Sequence, residues 1–306
     1  MQRHFNFTPG LRRWLLLASL LLLLLAPAQG NESRPPFEPF QLQPLMQRLQ
    51  EEGLLTPQTR AALEDPRLRQ VKVSLGLNLT HRDQPRDYAQ FLTAYARSRA
   101  ERFRRLYPRW LNAAHKAYGV PVNIILAILM VESQYGTYPP RYRPLEVFLT
   151  LGVATDPNVR QTLLNELHQQ YAEHNLEPAW LENRLTTKAE WGYSELVALI
   201  QMQEQTGQAL YDLKGSYAGA IGMPQFLPSS YLRWAVDGDG DRRIDLNQPA
   251  DAVMSVGHYL QVHGWTPNAD YPAKWDAVYA YNHSDHYVEA IFAIARMLDL
   301  PTRKRL

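Results

Sequence analysis

The most restrictive feature of the chain is an almost wholly apolar segment, PVNIILAILMVESQYG, at residues 121–136. Pro121 suits the first position of a helix and Gly136 suits a left-handed C-cap, so a helix is predicted between them. At helical spacing, Glu132 shares one face with three apolar residues, Ile125, Ile128 and Leu129. The sequence therefore predicts a carboxyl group on the face of this helix that packs inward.

Burial would change the acid–base behaviour of Glu132. Apolar neighbours and the negative end of the helix dipole both disfavour the ionised form. A carboxyl group that stays protonated near neutral pH is what a general acid needs. The alternative is a last-turn glutamate that points to water, as polar residues often do at helix ends. The segment alone leaves both interpretations open, and the motifs below favour the general acid.

The charge of the chain gives no indication of a nucleic-acid partner. The 306 residues are 45% hydrophobic and 20% charged, as in ordinary globular proteins, and the formal net charge is +2. Residues 1–28 contain Arg3, Arg12 and Arg13 and no acidic residue, so the basic excess belongs to them. We therefore do not expect binding to a nucleic acid through bulk charge.

Residues 1–28 have the organisation of a secretory signal peptide. Arg12 and Arg13 precede an apolar core at residues 14–25, and small residues suited to cleavage follow at residues 26–28. We expect a cleaved signal peptide and a periplasmic mature protein, with an uncleaved inner-membrane anchor as the alternative. The chain has no cysteine, which excludes disulfides, thiolate metal sites and a lipoprotein anchor.

Helical patterns dominate the remaining chain. Residues 29–84 are predicted to form a linker and short helices, with a break near Thr56 and a loop or extended piece from residue 71. Residues 85–306 are predicted to form the main domain, with helices over residues 87–107, 110–118, 160–173, 190–213, 249–263 and 285–298. Strand patterns are scarce, so the predicted fold class is mainly α.

A Gly-rich segment, LKGSYAGAIGMPQFLPSSY, occupies residues 213–231. It cannot form a regular helix throughout, because it contains two prolines and three glycines, Gly215, Gly219 and Gly222. The glycines allow close backbone approach to a ligand, and Ser216 and Gln225 offer neutral groups suited to sugar hydroxyls and amides. The alternative is a simple helix-breaking turn with Ser216 as an N-cap.

An acidic segment, VDGDGDRRIDLNQPAD, follows at residues 236–251. Three aspartates stand at positions one, three and five of a calcium loop: Asp237, Asp239 and Asp241. Arg242 replaces the usual glycine at position six, Gln248 replaces the glutamate at position twelve, and Asp251 is a candidate for the missing carboxylate. Mutual repulsion of the aspartates favours a structural Ca²⁺ site over a solvated acidic turn in which Asp251 is only a helix N-terminal charge.

Together with the sequences SVGHYLQVHGW and YNHSDHY, these segments resemble the lytic murein transglycosylase B family. The motifs occur in the family's order, and largely at its spacing, over residues 114–298. The resemblance implies a lysozyme-like fold of the goose-lysozyme or soluble lytic transglycosylase type, with extra helices. It also implies cleavage of the MurNAc-β-1,4-GlcNAc bond of peptidoglycan without water, which leaves 1,6-anhydro-MurNAc ends.

The resemblance assigns roles to individual residues. Glu132 corresponds to the catalytic acid, which Ser216 would contact. The implied substrate-binding residues are Ser216, Gln225, Tyr281, Asn282 and Tyr259. The implied Ca²⁺ ligands are Asp237, Asp239, Asp241 and Asp251. Trp191 is predicted to stack on a sugar ring, with ordinary core packing as the alternative.

Some segments depart from the family pattern. Longer members carry a small subdomain where residues 265–281 are expected to form only a short link. Residues 152–187 make this chain longer than those members, and Thr187-Lys188 replaces a basic pair that contacts substrate. The rim of the glycan groove is therefore expected to differ from that of the longer members.

The presence of one acid determines the expected mechanism. A hydrolase of the usual kind needs two carboxylates at a defined separation, and neither Glu146 nor Glu190 is a convincing partner for Glu132. One acid suffices if the N-acetyl oxygen of the substrate attacks its own anomeric carbon. A monomer that acts on peptidoglycan glycan strands is expected. The alternatives are a hydrolytic muramidase, which would leave reducing ends, and a non-catalytic peptidoglycan-binding protein, whose marker would be loss of the acid.

Overall fold

The computed structural model describes residues 34–80, 87–170 and 177–300, so the predicted signal peptide lies outside the described residues. Within these ranges the chain forms the α-helices α1 (Pro39–Glu51), α2 (Pro57–Leu63), α3 (Lys72–Thr80), α4 (Ala94–Leu106), α5 (Pro108–Tyr118), α6 (Val122–Ser133), α7 (Pro144–Gly152), α8 (Pro157–Gln170), α9 (Pro178–Thr206), α10 (Pro228–Trp234), α11 (Pro249–Val262), α12 (Tyr271–Tyr281) and α13 (Asp285–Asp299). Short 3₁₀ turns lie at Ala89–Leu92 and Val153–Thr155. The mainly α prediction is confirmed.

Helix α6 is the central helix. Every residue from Ile124 to Ser133 is buried, and α6 contacts α4, α5, α11 and α13. Its ends differ slightly from the prediction: Pro121 is the N-cap, and the C-cap is Gln134 rather than Gly136. Residues 134–136 all have left-handed backbone conformations, with φ of 48°, 62° and 73°. The chain therefore turns sharply immediately after Glu132.

Helices α7 and α9 form the other main contact of the core. All residues of α7 are buried, and α9 runs for 29 residues beside it. A Cβ atom at Gly192 would lie 2.5 Å from Leu151 Cβ, so glycine permits this close approach of the two helices. Helix α9 begins at Pro178, well before the predicted start at residue 190.

The N-terminal helices are attached to this core. Helices α1 and α2 lie on either side of Thr56 as predicted, and Thr56 caps α2 by accepting from Thr59 N–H at 3.1 Å. The loop predicted from residue 71 is wrong, because α3 occupies Lys72–Thr80. Val71 N–H donates to Thr150 Oγ1 at 2.9 Å, so tertiary contacts position this helix. The domain boundary at residues 84/85 stays a prediction.

The C-terminal helices surround the end of α6. The short link expected at residues 265–281 instead contains α12, whose N-cap Asp270 accepts from Ala273 N–H at 3.0 Å. Helix α13 begins after Ser284, whose hydroxyl accepts from Tyr287 N–H. In the described ranges no single helix is long and apolar enough to cross a membrane; α5 and α6 reach that length only as a pair bent by 116°.

Candidate active site

Glu132 is buried at the C-terminal end of α6, with 3% of its surface exposed. Tyr287, in the first turn of α13, donates its hydroxyl hydrogen bond to Glu132 Oε1 at 2.7 Å. Burial favours the protonated carboxyl group, whereas a donated hydrogen bond favours the carboxylate. Burial and this hydrogen bond therefore act in opposite directions on the same carboxyl group.

Tyr287 and Tyr281 form the wall of the site beside Glu132. Their rings are almost parallel, with centroids 6.4 Å apart. Burial, together with the negative charge of Glu132, raises the pKa of both phenols well above 10, so both remain hydroxyl donors. Tyr287 is the last residue of the YNHSDHY motif, and its residue type and position in the sequence do not indicate a role. Only the fold shows that its hydroxyl reaches the acid.

The Gly-rich segment packs against α7 and the residues before it. Gly215 forms an isolated antiparallel bridge with Tyr142, and Ile221 forms one with Phe226. Ser216 is buried, and its hydroxyl accepts from Ala218 N–H and Ala220 N–H, both at 3.2 Å. These two hydrogen bonds stabilise a turn at Ser216, which is the alternative that the sequence offers for this segment. Contact between Ser216 and Glu132 stays a prediction.

Residues 223–225 link α6 to the end of α12. Ser133 donates its hydroxyl to the carbonyl of Met223 at 2.7 Å, and Tyr281 donates its hydroxyl to the carbonyl of Pro224 at 2.6 Å. Both helix ends are therefore hydrogen-bonded to the same short segment of the Gly-rich loop. This arrangement fixes Glu132, Tyr281 and the loop relative to one another.

Gln225 has an unused hydrogen-bond acceptor in this loop. Its backbone is left-handed, with φ of 54°, and its Nε2 donates to the carbonyl of Gly222 at 2.7 Å. Its Oε1 is buried and has no hydrogen-bond partner among the described residues. A buried acceptor without a partner is costly, so Gln225 carries an unsatisfied polar group within this loop.

Tyr259 and Asn282 support Tyr281. The Tyr259 ring lies edge-on to the Tyr281 ring at 4.8 Å, and its hydroxyl donates to the carbonyl of Ala280 at 2.7 Å. Asn282 is the C-cap of α12 and is buried. Tyr259 is almost fully buried, so its visible contribution is to hold Tyr281.

Trp191 is placed differently from the sugar-stacking prediction. Its ring is buried and packs edge-on against Phe148 at 5.9 Å, and Lys188 Nζ lies 4.6 Å from its centre. This environment favours core packing, the alternative raised for this residue. Stacking of Trp191 on a sugar ring stays a prediction.

The acidic loop gathers three carboxylates, but not the four predicted. Oxygen atoms of Asp237, Asp239 and Asp251 lie within 4.8 Å of one another. Asp241 is outside this group, and its carboxylate accepts from Arg243 N–H at 2.7 Å. Arg242, at position six, has a φ of 71°, so it adopts the left-handed turn that glycine usually provides there.

Asp251 closes the loop from the first turn of α11. It is buried, and its two carboxylate oxygens accept from Gly238 N–H and Asp245 N–H, both at 2.7 Å. Burial raises its pKa, and the charges of Asp239 and Asp237 add to that shift. A set of hard oxygen donors at this spacing fits a divalent cation such as Ca²⁺.

Two further buried glutamates are held by other parts of the fold. Glu146 accepts from Arg69 N–H at 3.0 Å, and Glu195 accepts from the N–H and hydroxyl of Ser229 at 3.0 and 2.7 Å. Burial raises the pKa of both carboxyl groups. Both glutamates have structural partners, so neither is an evident second acid for the site around Glu132.

Comparisons with known proteins agree with this geometry. Over 159 residues the chain is 33% identical to the membrane-bound lytic murein transglycosylase B of Escherichia coli (strain K12). That match covers 52% of this chain but only 36% of the relative, so the chain matches little more than a third of that protein's length.

Solved structures show the same fold. The lytic transglycosylase SLT35 of Escherichia coli in complex with calcium superposes with a TM-score of 0.65 at 22% identity, covering 88% of this chain and 97% of that one. SltB3 from Pseudomonas aeruginosa in complex with NAG-anhNAM-pentapeptide gives a TM-score of 0.65 at 16% identity, covering 83% and 78%. The predicted lysozyme-like transglycosylase fold is confirmed.

A family model described as "Transglycosylase SLT domain" matches residues 38–275, which is most of the chain. This match includes Glu132, the Gly-rich loop and the acidic loop, and it ends before Tyr281 and Tyr287. Because this match covers more than half of the sequence, the chain belongs to the transglycosylase SLT domain family.

Proposed function

We propose that this protein is a lytic transglycosylase that cleaves the MurNAc-β-1,4-GlcNAc bond of peptidoglycan glycan strands. The observation that carries the proposal is the buried Glu132 at the end of α6, which accepts a hydrogen bond from Tyr287. Family membership and the similar fold of SltB3, which binds NAG-anhNAM-pentapeptide, support the same substrate class.

The proposed reaction uses Glu132 twice. In the first step its carboxyl proton moves to the glycosidic oxygen, the bond from that oxygen to C1 of MurNAc breaks, and the N-acetyl oxygen bonds to C1. In the second step the Glu132 carboxylate takes the proton of the C6 hydroxyl, and O6 displaces the acetamido oxygen at C1. The products are a GlcNAc 4-hydroxyl and a 1,6-anhydro-MurNAc end, and no water is consumed.

The surrounding residues have distinct proposed roles. Tyr287 donates to Glu132 and orients its carboxyl group. Gln225 is half-buried in the Gly-rich loop and binds the glycan from there, and Asn282 orients the acetamido group. Ser216 holds the Gly-rich loop against the acid, while Tyr281 lines the site and is itself held by Pro224 and Tyr259.

The structure favours this mechanism over hydrolysis with two carboxylates. Of the glutamates in the described ranges, the other buried ones, Glu146 and Glu195, are engaged by Arg69 and Ser229. A muramidase of the usual kind would place a second carboxylate across the scissile bond from Glu132. A substrate that supplies its own nucleophile removes that requirement.

We also propose that the acidic loop binds a structural Ca²⁺ ion. Asp237, Asp239 and Asp251 provide a convergent set of oxygen donors, and the similar SLT35 structure is in complex with calcium. Bridging these carboxylates would join the loop to the first turn of α11, whose Tyr259 supports Tyr281. The ion would therefore stabilise one wall of the site without taking part in the reaction.

The proposed place of action is the bacterial periplasm or cell envelope, where peptidoglycan lies. The curated relative is named as a membrane-bound lytic murein transglycosylase, which supports a location in the cell envelope. Cleavage of the predicted signal peptide and a monomeric state remain predictions.

The first test is mass spectrometry of the muropeptides released from purified peptidoglycan. We expect 1,6-anhydro ends, lighter than hydrolysis products by one water, and we expect Glu132→Gln to abolish release while binding is retained. The matched control is Glu190→Gln, which removes a carboxylate from the surface of α9 and should leave the rate unchanged.

Products with reducing ends would make the protein a muramidase, and cleavage by Glu132→Gln would refute the assigned acid. Binding without release by the wild type would make it a non-catalytic wall-binding protein.

A further inference from the structure

Helix α12 carries a row of aromatic side chains that the site described above does not use. Tyr271, Trp275 and Tyr279 are spaced by four residues, so they follow one side of the helix, and His283 continues the row. We call these four residues the α12 ridge. Tyr271 is 60% exposed, and the other three are partly exposed. Exposed aromatic rings in a row are more typical of a binding surface than of a helix that faces water.

The ridge is supported from behind by α13. The Trp275 and Phe292 rings are nearly parallel with centroids 6.3 Å apart, and Phe292 stacks in the same way on the buried Trp265 at 6.3 Å. Tyr271 lies 5.4 Å from Phe292 and 5.8 Å from Trp275. The rings are held in place before any ligand arrives, so binding to them would cost little conformational entropy.

Packing alone does not account for the row. The buried residues of α12 are Ala277 and Val278, which face the core. The aromatic side chains lie on the flank of the helix, and the most exposed of them, Tyr271, is at its first position. A helix that needed only to pack on α13 would not require a large exposed ring at that end.

The ridge is continuous with the candidate active site. The Tyr279 and His283 rings are 5.0 Å apart, and His283 directly follows Tyr281 and Asn282. From Tyr271 to Tyr279 the row extends roughly 12 Å at the rise of an α-helix, and His283 lies just beyond the helix end. That length accommodates more than one sugar ring beyond the cleavage site.

We propose that the α12 ridge is a glycan-binding track that holds sugars of the strand outside the cleavage site. Flat aromatic rings match the C–H faces of pyranose sugars, and tyrosine hydroxyls and the imidazole can bond the sugar hydroxyls around them. Burial, with the charge of His263 adding, lowers the pKa of His283, so its imidazole is neutral at pH 7 and can bond sugar hydroxyls. This inference rests on the proposed function, because it assigns the same substrate to a second surface.

The test compares long and short substrates. KM and kcat are measured for Tyr271→Ala and Trp275→Phe on uncrosslinked glycan strands without stem peptides, and on the shortest glycan that the wild type cleaves. We expect KM for strands to rise about three- to tenfold for Tyr271→Ala, and less for Trp275→Phe, which keeps an aromatic ring. On the short glycan, KM and kcat should equal those of the wild type.

Phe40→Ala is the matched control. Phe40 is 50% exposed on α1, so this variant removes a comparable exposed ring from another surface. An unchanged KM for strands in Tyr271→Ala, or an equal rise in KM on both substrates, would overturn the proposal that the α12 ridge binds glycan. A rise only when stem peptides are present would assign the surface to peptide instead and would also overturn it. If the wild type cleaves neither substrate, the proposed function fails, and sedimentation of strands with the same variants still decides whether the ridge binds glycan.

Discussion

The contact between Glu132 and Tyr287 joins two helices that are far apart in the chain. Glu132 ends α6 and Tyr287 begins α13, and their 2.7 Å hydrogen bond is buried. The apolar segment around Glu132, taken together with the other motifs, predicts a buried acid from sequence. The donor was not predictable, because a hydroxyl 155 positions away acquires its role only through the packing of α13 on α6.

Tyr287→Phe tests this contact at the residue scale. Removing the hydroxyl leaves the buried Oε1 of Glu132 without this donor, and hydrogen bonds to charged groups are among the stronger ones. We expect kcat on peptidoglycan to fall on the order of ten- to a hundredfold with little change in KM. The matched control is Tyr95→Phe, which removes a hydroxyl from a residue that is 69% exposed on α4. Equal rates for Tyr287→Phe and the wild type would show that the hydroxyl does not position the acid.

The same limit applies to the other predicted site residues. Gln225 was singled out for its neutral amide, and the structure adds that its Oε1 is buried without a partner. Trp191 is a candidate because of its ring, but the sequence does not distinguish a tryptophan that faces a groove from one in the core. In the structure Trp191 packs on Phe148. Residue type indicates what a side chain can bind, whereas burial decides whether a ligand can reach it.

Helix α9 shows what periodicity can and cannot predict about an element. Its buried side chains include Leu181, Leu185, Leu196 and Leu199, as an amphipathic helix requires. The same buried stripe contains Lys188 and Glu195, which a binary pattern would assign to the solvent face. Glu195 accepts from Ser229 at the start of α10, and the ammonium group of Lys188 lies against the Trp191 ring. Such buried charges become visible only once the neighbouring helices are in place.

Lys188→Met tests the cost of the cation in this helix. Burial, with the charge of Arg184 adding, lowers the pKa of Lys188 from 10.5 to about 8. Between these two values the unfolded chain binds the proton more tightly than the folded chain, so wild-type stability should rise with pH across that window. Below pH 8 the cost is fully present, so Lys188→Met should be more stable than the wild type at pH 7 by on the order of 2–3 kcal/mol.

Urea unfolding at pH 7 and pH 10 measures this effect. The variant should lack the rise in the free energy of unfolding that the wild type shows between these pH values. The matched control is Lys116→Met, an exposed lysine on α5, which should keep the rise. A variant that is less stable at pH 7 and retains the wild-type rise would show that Lys188 contributes favourably in the folded state.

At the scale of the whole molecule, the sequence predicts the fold class and the order of the motifs but not how distant segments meet. Helix α3 was predicted as a loop because its short segment lacks a clear period, and its position depends on bonds such as that from Val71 N–H to Thr150. Helix α12 was predicted as a link because only a comparison of lengths was available. The acidic loop is recognisable by the spacing of its aspartates, and Asp251 is a candidate ligand from sequence. Only the position of α11 shows that Asp251 lies beside Asp237 and Asp239.

Calcium should therefore stabilise the whole fold through the junction of the acidic loop and α11. Three carboxylates within 4.8 Å repel one another, and an ion that binds only the folded chain raises stability by about 2.7 kcal/mol at a hundredfold excess over Kd. We expect the Tm measured by calorimetry to rise when Ca²⁺ is added and to fall with a chelator. Asp251→Asn should remove that response, whereas Asp241→Asn should retain it, because Asp241 lies outside the carboxylate group. An equal loss of the Tm response in both variants would support the four-aspartate site expected from spacing. A wild-type Tm that does not change with Ca²⁺ would indicate that the loop is a solvated acidic turn.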